Sequence, residues 1–254
     1  MTTSFDGSKP VAVVTGAARR VGRAIALEFA RRGCDIVVHF GTSAREAESC
    51  AREVESLGSK AMTLQADLAD TSAVERLAAS ALALPRVDIL VHNASRYVPS
   101  PLGSLNAEDA LLDYRINALA PLLLSARLAS KLGASPLAGG GAIVCMTDMH
   151  ALGRPRSNHA AYSMTKAALT HMVECLARDL APHVRVNGVA PGVVDWPAAG
   201  PETDPAMQAR YLARTPLARP GTPEDAAKAV AWLALEATYT TGQIVRVDGG
   251  RWLT

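Results

Sequence analysis

Short apolar runs alternate with alanine-rich amphipathic stretches along almost the whole chain of 254 residues. The apolar runs are nearly continuous in valine, isoleucine and leucine, as expected for strands that are covered on both faces. Strands that alternate with helices indicate repeated β-α units and a parallel sheet. The pattern predicts one α/β domain, residues 1–254, built on a doubly wound seven-stranded parallel sheet with helices on both faces.

The apolar runs and the amphipathic stretches give bounds for each predicted element. The fourth predicted helix is too long for an average helix, and we expect it to break near Pro121, because proline lacks a backbone donor. The predicted strands are Val11–Thr15, Asp35–Phe40, Ala61–Gln65, Ile89–His92, Ala142–Met146, Arg185–Val189 and Gln243–Val247. The predicted helices are Val21–Arg32, Ala44–Leu57, Thr71–Leu84, Ala107–Leu132, Ala160–Ala181 and Pro223–Leu235.

Two stretches have the composition of loops, Ser95–Asn106 and Pro191–Thr222, and the second contains six prolines. A loop of that length inside a compact domain is usually functional. It also follows the carboxyl end of a predicted strand, where open α/β sheets bind ligands. We therefore expect residues 191–222 to form a substrate lid, with a disordered surface insertion as the alternative.

Composition excludes several classes of partner. The net charge is +2 and the basic residues do not run in blocks, which argues against nucleic acid. The four cysteines show no CxxC spacing, so we expect incidental thiols in a reducing compartment and no metal site. No signal peptide or membrane-length apolar stretch is visible, which predicts a cytoplasmic protein without membrane contacts.

A glycine-containing turn, TGAARRVG at residues 15–22, follows the first predicted strand and opens a helix. The first glycine permits a tight turn and the second lets the helix lie close to the sheet. Free amides at the start of a helix, together with its dipole, suit a pyrophosphate. The turn predicts a dinucleotide site whose contacts are Gly16, Arg19, Arg20, Val21 and Gly22.

The end of the second predicted strand indicates which dinucleotide binds. In NAD-selective folds of this type an acidic residue there bonds the ribose hydroxyls. This chain reads VHFGTS at residues 38–43, with no carboxylate. That absence, with Arg19 and Arg20 nearby and Ser43 able to donate a hydrogen bond, favours NADP, and His39 is a further expected contact. Arg19 as an ordinary solvated residue remains an alternative.

Tyr162 and Lys166 lie four residues apart in a predicted helix, so their side chains cover the same patch. A tyrosine has a pKa near 10 and is a poor acid at neutral pH. A neighbouring ammonium favours the phenolate and lowers that pKa. The pair predicts a proton donor matched to hydride transfer, although such a tyrosine alone is more often a core or surface residue.

With these motifs in order, the chain resembles the short-chain dehydrogenase/reductase family over its whole length. The resemblance implies a Rossmann fold, a nicotinamide cofactor and, as is common among relatives, a homotetramer. The motifs that carry it are TGAARRVG, the ADL of residues 66–68, the HNAS of residues 92–95, Asn117 in RINAL, Tyr162 with Lys166, the NGVAPG of residues 187–192, and TG followed by VDGG in residues 241–250.

The resemblance also assigns roles to single residues. Asp67 would bond the adenine, and Asn93 would stabilise the centre of the sheet beside the cofactor. Asn117 would help Lys166 hold a water molecule in a proton relay. The further cofactor contacts that it implies are Leu68, Ala94, Ser95, Tyr162, Lys166, Pro191, Gly192 and Val194, the last three passing over the nicotinamide.

One position departs from most of the family, which carries a serine after the fifth strand. Here that strand runs into Thr147 and Asp148, and the threonine is one residue away from the expected position. A carboxylate opposes the negative charge that develops on a carbonyl oxygen during reduction. The same carboxylate suits a nitrogen heterocycle, since it can accept from a ring N–H. Alternatively, Asp148 only caps the loop.

Three further features resemble one branch, the pteridine reductases: the double arginine in the glycine turn, Asn-Ala-Ser at residues 93–95, and an aromatic residue soon after it. This branch reduces pterins or folates with NADPH. The resemblance implies that Asp148 and Tyr162 of this chain would act together in protonation. Substrate contacts would come from Arg20, Ser95 and Tyr97, whose ring would stack on the pterin. Trp196 would cover the pocket or be an ordinary packing residue.

The match to that branch is incomplete. Gly41-Thr42 replaces a basic pair beside the 2′-phosphate, so phosphate binding would depend more on Arg20 and Ser43. The spacing from Asp148 to Tyr162 is one residue longer than expected, which places an insertion in residues 149–159. Two other hypotheses about the function stay open. The protein could be a carbonyl reductase of 3-oxoacyl thioesters or sugars, or an NADP-binding protein without turnover.

Overall fold

Seven parallel strands form a single sheet in the computed structural model, which describes residues 5–197 and 201–254. The order of the strands across the sheet is β3-β2-β1-β4-β5-β6-β7. All seven predicted strands and the doubly wound topology are confirmed, with bounds that move by a few residues at most. The strands are β1 Val11–Val14, β2 Asp35–Phe40, β3 Ala61–Gln65, β4 Ile89–His92, β5 Gly141–Met146, β6 Val184–Pro191 and β7 Ile244–Val247.

Helices cover both faces of the sheet and enclose one apolar core on each. The helices are α1 Arg20–Arg31, α2 Ala44–Ser56, α3 Thr71–Leu82, α4 Ala107–Tyr114, α5 Ala120–Gly133, α6 Ala160–Asp179, α7 Pro205–Leu212 and α8 Pro223–Leu235. Helices α1, α2 and α8 bury their apolar side chains on one face, and α3, α5 and α6 on the other. None of the helices in the described part of the chain has the length and apolar character of a membrane span.

The fourth predicted helix is interrupted near its proline, as expected. Residues Arg115–Leu119 form a π-helical turn between α4 and α5. Pro121 lies in the first turn of α5, directly after the π-helical turn, and it cannot donate a backbone hydrogen bond to the carbonyls of that turn. π-Helical turns occur frequently at functional sites, and this one carries Asn117.

The expectation that residues 191–222 form a loop without regular structure was wrong for part of that stretch. It contains α7, which begins with the N-cap Asp204, whose side chain accepts from the Ala206 amide at 2.9 Å, and continues with Pro205 at the start of the helix. An aspartate N-cap followed by proline is a favourable helix start. Residues 198–200 of the predicted lid lie outside the described residues.

The strand order reverses between β1 and β4, at the centre of the sheet. Hydrogen bonds join the loops that follow these two strands. Asn93, just after β4, donates from Nδ2 to the main-chain oxygens of Thr15 at 2.9 Å and Gly16 at 3.1 Å. Its own amide donates to the Thr15 hydroxyl at 3.0 Å. These bonds fix the glycine turn to the neighbouring loop at the point where open α/β sheets bind their ligands.

Arg185, in β6, is a buried arginine whose partners are main-chain carbonyls. Its guanidinium donates to Leu233 and Ala237 at 2.6 and 2.9 Å, to Ala234 at 2.7 Å, and to Gly139 at 3.1 Å. Three of these carbonyls belong to the carboxyl end of α8 and the residues after it, where helical carbonyls lack partners within the helix. A cation at that end also interacts favourably with the helix dipole.

We expect Arg185→Met to lower the free energy of unfolding by about 3 kcal/mol, because several buried carbonyls lose charge-assisted hydrogen bonds. Urea denaturation measures the change. Arg178→Met, at an exposed position near the end of α6, is the matched control and should change the stability by less than about 0.5 kcal/mol. Equal effects of the two substitutions would contradict this role for Arg185.

Candidate active site

Asp148 and Tyr162 are joined by a hydrogen bond at the carboxyl end of β5. The phenol of Tyr162 donates to Oδ2 of Asp148 at 2.7 Å. The other carboxylate oxygen accepts from the His150 amide at 2.7 Å and so caps the short turn that follows. Both roles expected for Asp148, capping and pairing with Tyr162, are therefore present in one side chain. Thr147 is buried and donates to Val189 O at 3.1 Å, away from the phenol.

The surroundings of Tyr162 oppose its ionisation. Burial raises the pKa of the Tyr162 phenol well above its ordinary value of 10, and the charge of Asp148 raises it further. Lys166 Nζ donates to Met146 O at 2.8 Å and lies 5.8 Å from the centre of the Tyr162 ring. The expectation of a lowered pKa for this phenol was wrong for this arrangement, since burial and Asp148 both keep its proton in place.

Lys166 is itself buried, and burial disfavours its charged form. Burial lowers the pKa of the Lys166 ammonium to about 8, while the negative charge of Asp148 acts in the opposite direction. The ammonium therefore carries most of its charge at neutral pH. It lies close enough to the Asp148 and Tyr162 pair to offset the negative charge there.

Asn117 uses its side chain to hold a loop and a helix together. Its Oδ1 accepts from the Arg96 amide at 2.8 Å and from the Ser95 hydroxyl at 3.2 Å. Its Nδ2 donates to Arg96 O at 2.9 Å and to the Thr165 hydroxyl at 3.1 Å. Asn117 thus fixes the loop after β4 to the helix that carries Tyr162 and Lys166. Its predicted part in a water relay stays a prediction.

The glycine turn forms the expected cradle at the start of α1. A methyl group on Gly22 would lie 2.1 Å from Gly16 O and 2.5 Å from Asn93 Nδ2, so only glycine fits there. Gly16 has a φ of +64°, which glycine adopts without strain. The N-cap residue Arg19 makes no side-chain cap, which leaves the first amides of the helix open.

A cleft of about 420 Å³ lies beside this turn. Its described lining contains arginines and no carboxylate, and the open amides face an anion favourably. These features fit the pyrophosphate and ribose of a nicotinamide dinucleotide. The lining consists of Gly16, Ala18, Arg19, Arg20, Val21, Gly22, Phe40, Gly41, Thr42, Ser43, Asn93, Ala94 and Ser95.

Three of the predicted cofactor contacts, His39, Asp67 and Leu68, line neither that cleft nor the second cleft described below. His39 is buried: its Nδ1 accepts from the Gly16 amide at 3.1 Å, so Nε2 carries the proton and donates to Ala66 O at 3.1 Å. Burial lowers the pKa of this imidazole to about 4, which keeps it neutral. His39 therefore supports the turn from beneath. Leu68 is buried in the core, and the exposed Asp67 accepts from the Ala69 amide at 2.9 Å.

A second cleft, of about 500 Å³, continues from the first toward Asp148 and Tyr162. It brings together the predicted residues Arg20, Ser95, Tyr97, Lys166, Pro191, Gly192 and Val194 around that pair. Trp196 is not part of its lining and packs edge-on against Tyr211 at 5.6 Å between ring centres. This contact fits the alternative of a packing residue, and the predicted role of Trp196 in covering the pocket stays a prediction.

Arg20 connects the two clefts. It adopts a φ of +52°, which is unusual for a residue with a side chain. Its Nε donates to Asp195 Oδ2 at 2.5 Å and its Nη2 to Asp195 O at 2.9 Å. Arg20 was expected to bind the 2′-phosphate of the cofactor. Its ion pair with Asp195, in the segment after β6, competes with that contact.

The outer wall of the second cleft includes residues that the sequence did not single out. Glu202 accepts from the Tyr97 hydroxyl at 2.9 Å and forms an ion pair with Arg156. The ring of Tyr97 stacks on His159 at 4.8 Å and meets Tyr162 edge-on at 4.8 Å. The predicted insertion in residues 149–159 was the one signal for Arg156. Glu202 lies within the predicted lid of residues 191–222, but no motif singled it out there.

The low pKa of Lys166 makes stability depend on pH. The unfolded lysine keeps its proton up to about pH 10.5, whereas the folded one releases it near pH 8. Because the unfolded state binds more protons in this window, the free energy of unfolding should rise with pH there, by about 3 kcal/mol. Urea denaturation of wild type and Lys166→Met across the window measures the difference. Parallel profiles would show that Lys166 has an ordinary pKa.

Comparison with known proteins places this geometry in a family. Residues 16–251 match the family model described as Enoyl-(Acyl carrier protein) reductase. The 7alpha-hydroxysteroid dehydrogenase of Escherichia coli K12 is 34% identical over 242 residues, covering 94% of this chain and 92% of that protein. The 3-oxoacyl-[acyl-carrier-protein] reductase of Synechocystis is 34% identical over 247 residues, covering 94% and 96%.

Solved structures agree with these relatives. The acetoin dehydrogenase of Salmonella typhimurium superposes with a TM-score of 0.85 at 30% identity, covering 97% of both chains. The acetoin dehydrogenase of Enterobacter cloacae gives a TM-score of 0.82 at 33% identity, covering 98% of this chain and 97% of the other. With its Rossmann-type sheet, glycine cradle and Tyr162 and Lys166 pair, the chain belongs to the short-chain dehydrogenase/reductase family of NAD(P)(H)-dependent oxidoreductases.

Proposed function

We propose that this oxidoreductase reduces pterins with NADPH, transferring a hydride to a C=N bond of the pterin ring. The observation that carries the proposal is the 2.7 Å hydrogen bond from Tyr162 to Asp148. It places a protonated phenol and a carboxylate side by side in the cleft. A nitrogen heterocycle offers N–H donors to such a carboxylate and ring nitrogens to such a phenol.

Reduction of a C=N bond adds a hydride to carbon and a proton to nitrogen. A bound NADPH would supply the hydride. Tyr162 holds the proton that the ring nitrogen takes, and its O–H turns from Asp148 to the substrate to deliver it. Asp148 is then free to accept from a neighbouring N–H of the substrate. The charged Lys166 offsets the negative charge left on the phenol. A flat ring would lie against Tyr97, which is 37% exposed and lines the cleft.

A carbonyl reductase is the second candidate, and the names of the relatives favour it. A hydroxysteroid dehydrogenase, an acetoin dehydrogenase and a 3-oxoacyl reductase all have names that state alcohol or ketone substrates. Asp148 argues against it, because its charge opposes the oxyanion that forms when a ketone is reduced. A third candidate, an NADP-binding protein without turnover, leaves the Asp148 and Tyr162 pair without a role.

We expect NADPH oxidation in the presence of dihydrobiopterin or dihydromonapterin, and little with 3-oxoacyl thioesters or simple ketones. Tyr162→Phe removes the proton donor and should lower kcat by about 100-fold or more. Asp148→Ser should lower kcat/KM for the pterin while raising it for the ketones. Turnover of the thioesters alone by the wild-type enzyme would contradict the pterin proposal and favour the second candidate.

For the cofactor we propose NADPH over NADH. The support is the lining of the first cleft, in which Gly41, Thr42 and Ser43 follow β2 and no carboxylate is present among the described lining residues. Ser43 caps no backbone amide with its side chain, so its hydroxyl is available to a phosphate. A carboxylate at this position would instead repel the 2′-phosphate and bond the ribose hydroxyls.

Gly41→Asp should therefore reverse the cofactor preference. A side chain at this position meets no atom within 4 Å, so the substitution adds a charge without a steric clash. We expect the ratio of kcat/KM for NADPH to that for NADH to fall by about 100-fold. The new carboxylate would repel the 2′-phosphate of NADPH and weaken the hydrogen bonds that hold it. Gly41→Asn is the uncharged control. A wild-type preference for NADH would contradict the proposal.

A further inference from the structure

Glu202 is a buried carboxylate in an exposed segment. It lies in the short 3-10 turn Pro201–Thr203 before α7, and the four residues that follow it, 203–206, are exposed. Its own exposure is only 9%. Charged side chains are rarely buried unless they are paired. The segment thus directs one carboxylate into the protein.

The partners of Glu202 come from two other loops. Its Oε1 accepts from the Tyr97 hydroxyl at 2.9 Å, and Tyr97 belongs to the loop after β4. The same oxygen pairs with Arg156, which belongs to the loop between β5 and α6. Its main-chain oxygen accepts from Gln208 Nε2 at 2.7 Å, which ties the turn to α7. One carboxylate therefore joins three loops at the carboxyl edge of the sheet.

Through Tyr97 this connection reaches the reacting groups. The Tyr97 ring contacts Tyr162 edge-on at 4.8 Å between ring centres, with an interplanar angle of 81°. Its position is fixed on one side by stacking on His159 and at its hydroxyl by Glu202. Loss of the Glu202 carboxylate would release the hydroxyl end of the ring that forms the wall next to Tyr162.

Glu202 also contributes to the charge of the second cleft, where a substrate would bind. The described lysines and arginines lining the second cleft are Arg20, Arg156 and Lys166, and the carboxylates are Asp148, Asp195 and Glu202. Arg20 pairs with Asp195 and Arg156 with Glu202, while Lys166 lies in the field of Asp148. With the segment in this position, both arginines already have a carboxylate partner, which weakens their attraction for an anionic substituent.

We propose that Glu202 is a positioning and specificity residue, which fastens the segment 201–212 to Tyr97 and Arg156 over the substrate cleft. It holds the aromatic wall against Tyr162 and occupies Arg156, so that the cleft takes an uncharged flat ring in preference to one with an anionic tail. The substrate part of this inference rests on the proposed function. The fastening part depends only on the contacts of Glu202.

The fastening is tested without any substrate, by hydrogen exchange of the peptides that cover residues 201–212. Glu202→Ala should exchange about tenfold faster than wild type there, as expected for the loss of about 1.4 kcal/mol of local stability. Asp204→Asn is the matched control: it removes a carboxylate two residues away, but asparagine also caps helices well. Its exchange should stay near that of wild type. Unchanged exchange in Glu202→Ala would overturn the fastening.

The specificity is tested with dihydrobiopterin, which has an uncharged side chain, and dihydrofolate, which carries glutamate carboxylates. In Glu202→Ala we expect KM for dihydrobiopterin to rise about tenfold with little change in kcat. The preference for dihydrobiopterin over dihydrofolate should fall as well, because Arg156 is released. Tyr97→Phe should raise KM but keep that preference, since its Glu202 still pairs with Arg156.

The two parts can fail separately. A loss confined to kcat in Glu202→Ala, or an unchanged substrate preference, would overturn the specificity role. If wild type reduces neither pterin, the proposed function fails and the substrate part falls with it. The exchange comparison of Glu202→Ala with Asp204→Asn then still decides whether Glu202 fastens the segment.

Discussion

The chemistry of this site depends on the hydrogen bond between Tyr162 and Asp148. A tyrosine beside a lysine alone would tend toward phenolate. Here the buried phenol donates to a carboxylate at 2.7 Å, and its pKa is raised. The same carboxylate caps the turn that follows β5 through the His150 amide. The position of the proton and the path of the loop are therefore fixed by one side chain.

The sequence predicted the sheet because each strand is covered on both faces and reads as a continuous apolar run. The cradle at Gly16 and Gly22 and the pair at Tyr162 and Lys166 were also found, since their roles follow from local spacing. The break of the fourth helix was predicted near Pro121, and it is the π-helical turn Arg115–Leu119 just before that residue. That break accompanies contacts of Asn117 with Arg96 and Thr165, which lie 21 and 48 residues away and leave no local signal.

The wall of the second cleft could not be predicted for the same reason. Tyr97 and Glu202 are 105 residues apart, and Arg20 and Asp195 are 175 apart. Such pairs depend on how the segment after β6 folds back over the edge of the sheet. Local composition does not show which residues of that segment will meet which residues of the other loops. For His39 the local position was misleading. Its place at the end of β2 predicts a ligand contact, but both of its ring nitrogens form hydrogen bonds with main-chain groups of Gly16 and Ala66.

The most direct test of this account is an absorbance titration of tyrosinate, taken as the difference between wild type and Tyr162→Phe. The account predicts that Tyr162 keeps its proton beyond its ordinary pKa of 10, and that Asp148→Asn lowers the pH at which it ionises. Ionisation of Tyr162 below pH 10 in the wild-type protein would contradict it. So would a titration that Asp148→Asn leaves unchanged.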